Sequence, residues 1–235
     1  MTAADLGTES AGPDLLPLFV WLSPAYPVGA FAYSHGLEWA VETQDVRDLA
    51  SLSRWVDDLL RHGGPFADGV LLAHAFRATS AGADEVLVEV LELAAAFAPS
   101  RERQMETLNQ GDAFIAATRI AWPAPIFERV VQIWPGRIAY PVAVGIAAAA
   151  HGLPLLATLA AYLNAVAANL VSAAVRLVPL GQTDGNRALA AATVTAREIA
   201  PLALTVPLER MGGAALRSDI ASMRHETQYT RLFRS

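Results

Sequence analysis

Residues 138–175 contain no Asp, Glu, Lys or Arg, and no other part of the chain constrains the fold as strongly. A helix that is apolar on every side has to be covered by other helices, by an oligomer interface or by lipid. We therefore predict two central helices, over residues 138–150 and 155–178, inside a helical domain. An integral membrane protein is the alternative, but neither half is an uninterrupted apolar span of about 20 residues. The interruptions are Pro141, His151, Gly152, Pro154, Asn164 and Asn169.

The rest of the chain also predicts helices, because alternating β-branched runs between hairpin turns are missing from the sequence. Apolar residues instead recur at three- and four-residue steps between Pro and Gly positions, as in residues 52–60 ahead of Gly63 and Gly64. We predict an all-α protein with a single helical-bundle-like domain of about ten helices. This domain spans residues 14–208, after a disordered tail over 1–13 and before a flexible carboxy-terminal arm over 209–235.

The composition excludes several classes of chemistry. The chain has no Cys, so it can form no disulfide, thiolate metal site or cysteine nucleophile, and it suits a reducing cytoplasm. All 17 basic residues are Arg, so a phosphate-binding loop with its lysine and a Schiff-base lysine are also excluded. The net charge is −6 and the arginines are scattered, which argues against nucleic acid as a partner. The amino terminus lacks the regions of a secretory signal.

Residues 23–41 hold the most specific residue choices in the chain. Pro24 and Pro27 forbid helix in the residues before them, and Gly29 then permits a tight turn. We predict that a helix begins only after this turn and covers residues 31–43. One face of that helix would carry an aromatic and polar stripe, made of Phe31, Ser34, His35, Glu38 and Glu42.

The sequence contains no complete catalytic or metal-binding pattern. None of the five histidines forms a His-x-x-x-His or Glu-x-x-His pair. His35 and Glu38 lie one helical turn apart and could share a divalent ion, but two ligands do not close a site. Ser34 and His35 would point about 100° apart on a helix, which argues against a nucleophile and its base. We predict no catalytic residue, metal or cofactor, and Asp184 is expected to cap a helix that ends near residue 200.

The last 27 residues, 209–235, differ from the domain before them. They are polar, contain two adjacent glycines and several separate arginines, and end in an Arg-flanked Leu232–Phe233 pair. Aromatic and Arg side chains supply much of the binding energy at protein interfaces. The composition therefore predicts either an exposed arm that binds a partner or a frayed terminus.

Three segments of the chain resemble the signatures of the UreF family of urease accessory proteins. They are residues 23–38, 176–185 and 225–235, so the resemblance spans nearly the whole chain from about residue 15. Ala30 and His35 depart from the pattern, in which Gly and Gln are more usual. The residues that carry a structural part of the resemblance are Ser23, Pro24, Pro27, Gly29, Phe31, Gly36, Arg176, Gly181 and Gln182.

The resemblance implies a non-catalytic, all-α homodimer that joins two partners, UreD (also called UreH) and the GTPase UreG, to deliver nickel to the urease apoenzyme. We expect the arm to dock UreD, supported by the helix that contains Tyr33, Ser34 and Glu38. The partner-binding candidates are Tyr33, Ser34, Glu38, His225, Tyr229, Arg231, Leu232, Phe233 and Arg234. Arg224, Arg231 and Arg234 are candidates for a residue that modulates GTP hydrolysis. An all-α small-molecule enzyme that uses His35 and Glu38 is the alternative.

Overall fold

The structure is a computed structural model that describes residues 13–235. Within this range the chain forms eleven α-helices, two short 3-10 turns and no strand, so the predicted all-α fold is confirmed. The helices are α1 (Leu16–Trp21), α2 (Leu37–Glu42), α3 (Leu49–His62), α4 (Gly64–Ala81), α5 (Asp84–Ala96), α6 (Arg101–Ala121), α7 (Pro125–Ile133), α8 (Tyr140–Ala150), α9 (Leu155–Leu177), α10 (Gln182–Ala203) and α11 (Leu216–His225). The disordered tail predicted for residues 1–13 lies, except for Pro13, outside the described residues.

The two apolar helices predicted from the uncharged stretch occupy different places in the domain. Helix α8 is buried along most of its length and packs between α4 and α6. Helix α9 packs against α10 and α4 and keeps part of its surface open. The sequence therefore predicts the central position of α8 correctly, because an Ala-rich helix lets neighbouring backbones approach closely.

Helix α9 is the one helix within residues 13–235 that is long and apolar enough to cross a membrane. In its most apolar window, 44% of the residues are buried inside the domain. Core helices of many soluble proteins meet the same criteria of length and composition. A single helix of this kind is therefore weak evidence for the membrane alternative.

The prediction of a helix over residues 31–43 is wrong in its first half. A 3-10 turn covers Ala30–Ala32, Tyr33 is extended, and His35 and Gly36 have φ angles of +57° and +76°. Two consecutive left-handed residues cannot continue a right-handed helix, so α2 begins at Leu37. The expected polar stripe consequently does not lie on one helix face.

Two further boundaries differ from the sequence prediction. Helix α10 begins at Gln182, after Gly181, so Asp184 lies in the first turn and is not the N-cap residue. The same helix continues through Pro201 to Ala203. Proline there removes only one intrahelical hydrogen bond, close to the end where the packed face of α10 still favours helix.

The sequence predicts that the carboxy-terminal segment is an exposed arm, but the structure shows that only part of this segment is exposed. It contains α11, which packs on α2 and α6, and the ten residues after it fold back onto the domain. Phe233 is only 4% exposed and Ser235 is fully buried. The physical reason is that polar groups of the domain form hydrogen bonds with the backbone and side chains of this segment.

Candidate functional site

Three segments that lie far apart in the sequence meet in one place. They are the turn leading into α2, the first three turns of α6, and residues 226–235, which we call the tail. The side-chain contacts of the tail with the other two segments join residues separated by more than 120 positions, such as Glu102 with Arg231 and Glu38 with Phe233. The unusual amino-terminal and carboxy-terminal motifs therefore form a single structural unit.

Glu38, in the first turn of α2, anchors the middle of the tail. Its Oε1 atom accepts the backbone N–H of Leu232 at 2.7 Å, and its Oε2 atom accepts that of Phe233 at 2.9 Å. Charge-assisted hydrogen bonds of this kind are stronger than neutral ones. Glu38 is itself only 8% exposed, so its carboxylate depends on these donors to replace water.

His225, at the end of α11, lies between two carboxylates and is fully buried. Its Nδ1 atom is 2.6 Å from Glu102 Oε2, and its Nε2 atom is 3.2 Å from Glu38 Oε2. Both ring nitrogens therefore lie within hydrogen-bond distance of a carboxylate oxygen. Arg231 Nη1 donates to the other oxygen of Glu102 at 2.7 Å. The tail is thus tied to α2 and α6 through two glutamates.

The end of the tail pairs with the turn before α2. The backbone N–H of Ser34 donates to the carbonyl oxygen of Ser235 at 2.9 Å, and that of Arg234 donates to Ala32 at 2.9 Å. The Ser34 hydroxyl also donates to the Ser235 carbonyl. Ser34 and Ser235 are both fully buried. Ser34 therefore holds the last residue of the tail through two hydrogen bonds.

Arg176, from the second of the resembling segments, connects the same elements. Its guanidinium carbon lies 4.4 Å from the centre of the Phe233 ring, and its Nη2 atom donates to the Phe31 carbonyl at 3.0 Å. A cation over an aromatic ring stabilises the contact by about 0.5–2 kcal/mol. Arg176 thereby links the end of α9 to both the turn and the tail.

Glu106, one turn after Glu102 on α6, is the centre of a buried polar network and is 1% exposed. It forms an ion pair with Arg103, and its Oε1 atom lies 2.7 Å from His35 Nε2. Its Oε2 atom accepts the Ser235 hydroxyl at 2.7 Å. A buried carboxylate is tolerated when it is surrounded by donors in this way.

Electrostatics fix the charge states in this network. Burial by itself opposes ionisation of Glu106, but the positive charge of Arg103 and the bonds from His35 and Ser235 outweigh it and lower the pKa to about 2. Burial and the nearby Arg103 lower the pKa of His35, against the opposing influence of Glu106. A neutral His35 that donates from Nε2 to an ionised Glu106 satisfies both groups.

We expect the free energy of unfolding to decrease as the pH falls from 4.5 towards 2. The Glu106 pKa is lower in the folded state than its ordinary value of 4.5, so the stabilisation by Glu106 is present above that pH and is lost below it. The size of this contribution is about 3 kcal/mol. Burial raises the pKa of Asp68 to about 6, so Asp68 acts in the opposite direction and stabilises most below pH 3.8.

Urea unfolding followed by circular dichroism at several pH values measures this effect. The variant Glu106→Gln should be less stable at neutral pH and should lose less stability on acidification than the wild type. Equal acid sensitivity of the two proteins would show that Glu106 does not carry the effect.

Large apolar side chains remain exposed on α11 and on the tail after it. Leu216, Ile220 and Met223 follow one another at four- and three-residue steps on the outer face of α11, and Tyr229 and Leu232 extend from the tail. We call these five residues the tail surface. Exposed Arg224 and Arg234 lie in the same segment. Such a combination of apolar, aromatic and Arg side chains is typical of protein interfaces.

The structure separates the nine partner-binding candidates into two groups. Tyr229, Arg231, Leu232 and Arg234 are exposed, and their role in partner binding stays a prediction. The other five are buried: Tyr33, Ser34, Glu38, His225 and Phe233. Of these, Ser34 and Glu38 hydrogen-bond to the tail. Of the residues that carry the structural part of the resemblance, Gly36 packs against α11 and Arg176 contacts the turn before α2. Gly181 and Gln182 instead lie at the start of α10.

Sequence reasoning missed the residues of α6 that receive the tail. Glu102, Arg103 and Glu106 belong to a polar stretch that the pattern alone would place against solvent or a partner. One feature of the sequence could have indicated these residues: the three-residue spacing of Arg103 and Glu106 puts opposite charges on the same face of a helix. Within residues 13–235, no group of three or more His, Asp or Glu is arranged to hold a metal ion.

Comparisons with known proteins cover the whole site. A family model described as UreF matches residues 46–193. The "Urease accessory protein UreF" of Rhodopseudomonas palustris (strain HaA2) is 55% identical over 234 residues, covering 100% of this chain and 98% of the relative. The protein of the same description from Xanthobacter autotrophicus (strain ATCC BAA-1158 / Py2) is 53% identical, covering 99% and 96%. These alignments include the turn before α2 and the tail, which lie outside the region that the family model matches.

Proposed function

The chain belongs to the UreF family of urease accessory proteins, and on that premise we propose that it is a scaffold for nickel insertion into the urease apoenzyme. In this role it works in the cytoplasm as a homodimer, binds UreD (UreH) and recruits the GTPase UreG. The chain itself carries out no catalysis. Its part is to hold the other proteins in position while nickel is delivered.

The observation that carries this proposal is the tail surface and the network beneath it. Tyr229 and Leu232 are exposed side chains of the tail, and Glu38 fixes the tail backbone at Leu232. The tail backbone therefore loses little conformational entropy when a partner binds. Aromatic, Met and Arg side chains are also enriched in the buried centres of interfaces. We propose that UreD docks on this surface.

The contacts of His35 and Glu38 argue against the small-molecule enzyme. His35 is bound to Glu106, and Glu38 is bound to two tail amides and to His225. These residues are therefore held by structural partners and do not converge on a common substrate. Because the chain has no lysine, a lysine-dependent nucleotide loop has to belong to another protein.

Two finer parts of the proposal have narrower structural support. More than half of the most apolar window of α9 is not buried in the domain, which offers an uncharged surface for a second copy of the chain. Arg231 is paired with Glu102, whereas Arg224 and Arg234 form no ion pair within residues 13–235. Of the three candidate arginines, Arg224 and Arg234 are therefore the two that we propose for modulation of GTP hydrolysis.

We expect the double variant Tyr229→Ala/Leu232→Ala to bind UreD at least about tenfold more weakly, with its own stability nearly unchanged. Both side chains are exposed, so truncation removes interface contacts without opening a cavity. Affinity is measured with purified UreD, and co-purification with UreD and UreG, with and without GTP, tests recruitment. The matched control is Ile120→Ala, which truncates an exposed apolar side chain near the end of α6. Undiminished UreD binding by the double variant would refute the assignment.

A further inference from the structure

A cavity with a volume of about 150 Å³ is lined by residues of α4, α6, α8, α9 and the turn before α2. Part of its lining reaches the surface, because Phe31 and Ser172 line the cavity and are both exposed. In other proteins a cavity of this volume holds a benzene-sized molecule. The cavity can therefore receive a small organic molecule from solvent.

Aromatic rings make up much of the cavity lining. Tyr26, Tyr140 and Tyr162 line the cavity, and all three are buried. The ring centroids of Tyr140 and Tyr162 are 5.5 Å apart. Aromatic rings bind apolar groups and also organic cations, whose positive charge is attracted to the ring face. The lining therefore favours a ligand that is planar and either apolar or positively charged.

The charged side chains of the lining decide between these two possibilities. They are Asp68, Arg103 and Glu106. Arg103 forms an ion pair with Glu106, so these two charges compensate each other. Burial lowers the pKa of His35, which also lines the cavity, and His35 is therefore neutral at neutral pH. The negative charge of Asp68 remains, and it favours a positively charged ligand.

Asp68 also lacks the donors that a buried carboxylate usually has. The Tyr162 hydroxyl donates to Asp68 Oδ2 at 3.0 Å, and no group within residues 13–235 donates a hydrogen bond to Asp68 Oδ1. Burial raises the pKa of Asp68 to about 6, because it outweighs the opposing influence of the nearby Arg103. A positively charged N–H donor in the cavity would supply both the missing hydrogen bond and the missing charge.

Two further polar residues of the lining can accept hydrogen bonds. The Nε2 atom of Gln110 donates to Glu106 at 3.1 Å, which leaves the Gln110 amide oxygen as an acceptor. The Nε2 atom of His35 lies 2.7 Å from the same glutamate, so the neutral ring keeps its Nδ1 atom as an acceptor. A ligand with several N–H donors fits this set of acceptors.

We propose that the cavity binds a small planar organic cation of the amidinium or guanidinium class, with Asp68 as its counter-ion. The N–H groups of the cation bind Asp68, and its delocalised charge lies among the tyrosine rings. A metal ion is less favoured, because no group of three or more His, Asp or Glu within residues 13–235 is arranged to hold one. This ligand site goes beyond the proposed function and does not depend on it.

Calorimetric titration of the full chain with three probes of the same shape tests this site. The probes are benzamidine, which is cationic, benzamide, which is neutral, and benzoate, which is anionic. We expect benzamidine to bind at least about tenfold more tightly than the other two, because only benzamidine can form an ion pair with Asp68.

The variant Asp68→Asn should bind benzamidine and benzamide with similar affinity, because asparagine keeps an acceptor for Tyr162 but has no charge. The matched control is Asp58→Asn, which removes the same charge from an exposed aspartate of α3 outside the cavity lining. This control should keep the wild-type preference for benzamidine.

Three results would overturn the proposal. They are no benzamidine binding up to about 10 mM, equal affinities of the wild type for benzamidine and benzamide, and an unchanged preference in Asp68→Asn. If Asp68→Asn does not fold, Ala165→Phe decides, because Ala165 lines the cavity and is partly exposed, so a larger side chain can block the opening. Wild-type benzamidine affinity of folded Ala165→Phe would overturn the proposal too. UreD takes no part in these measurements, so failure of the ligand site would leave the proposed function untouched.

Discussion

Replacing Glu106 with alanine should lower the free energy of unfolding by about 3–5 kcal/mol. Glu106 is 1% exposed, and the Arg103 side chain with which it pairs is 12% exposed. The substitution would leave a buried guanidinium without its counter-charge and remove the acceptors of His35 and Ser235. Because single-residue effects above about 4 kcal/mol are exceptional, this variant should be among the least stable that one substitution can produce.

Urea unfolding at neutral pH, followed by circular dichroism, measures the effect. Glu92→Ala is the control, since Glu92 is an exposed glutamate of α5 and its truncation should change stability by no more than about 0.5 kcal/mol. A loss of less than about 1 kcal/mol for Glu106→Ala would mean that solvent replaces the missing carboxylate. The polar network would then not be the support of the tail that the geometry indicates.

Replacing Gly36 with alanine should destabilise the protein by about 2–4 kcal/mol and unseat α11. Gly36 has a φ angle of +76°, at which an L side chain costs about 1–2 kcal/mol. A Cβ atom there would also lie 2.6 Å from the backbone N of Ser222 on α11. Neither backbone can yield easily, because Glu38 and His225 hold α2 and α11 together.

Gly29 provides the matched control for this prediction. Its φ angle of +71° is similar, but nothing lies within 4 Å of an added Cβ atom. Gly29→Ala should therefore cost only the backbone contribution of about 1–2 kcal/mol and leave α11 in place. Thermal unfolding gives the stabilities, and amide hydrogen exchange of residues 216–225 shows whether α11 has loosened. Equal effects of the two substitutions would contradict the close packing of α2 on α11.

The structural unit formed by the turn before α2, α6 and the tail is only partly visible in the sequence. Residues 23–41 and the last eleven residues were singled out because their residue choices are specific, and both belong to the unit. Their relation to each other was not predictable, since Glu38 and Phe233 are 195 positions apart and no local pattern connects them. The prediction of an exposed arm followed composition, which cannot show that Glu38, Glu102 and Glu106 provide acceptors for the tail.

The amino-acid sequence by itself determined the all-α class, the central position of α8 and the membership in the UreF family, because hydrophobic spacing, proline positions and motifs are local properties of the chain. Only the tertiary structure decided that Glu106 and Gln110 of α6 are buried and that the tail packs against this helix. Those outcomes depend on polar contacts formed across the fold, such as the contact of His225 with Glu38 and the ion pair of Arg231 with Glu102. A buried charge is stable only when a group of opposite charge or a hydrogen-bond partner lies next to it. The packing of segments that are distant in the sequence decides where such a partner lies.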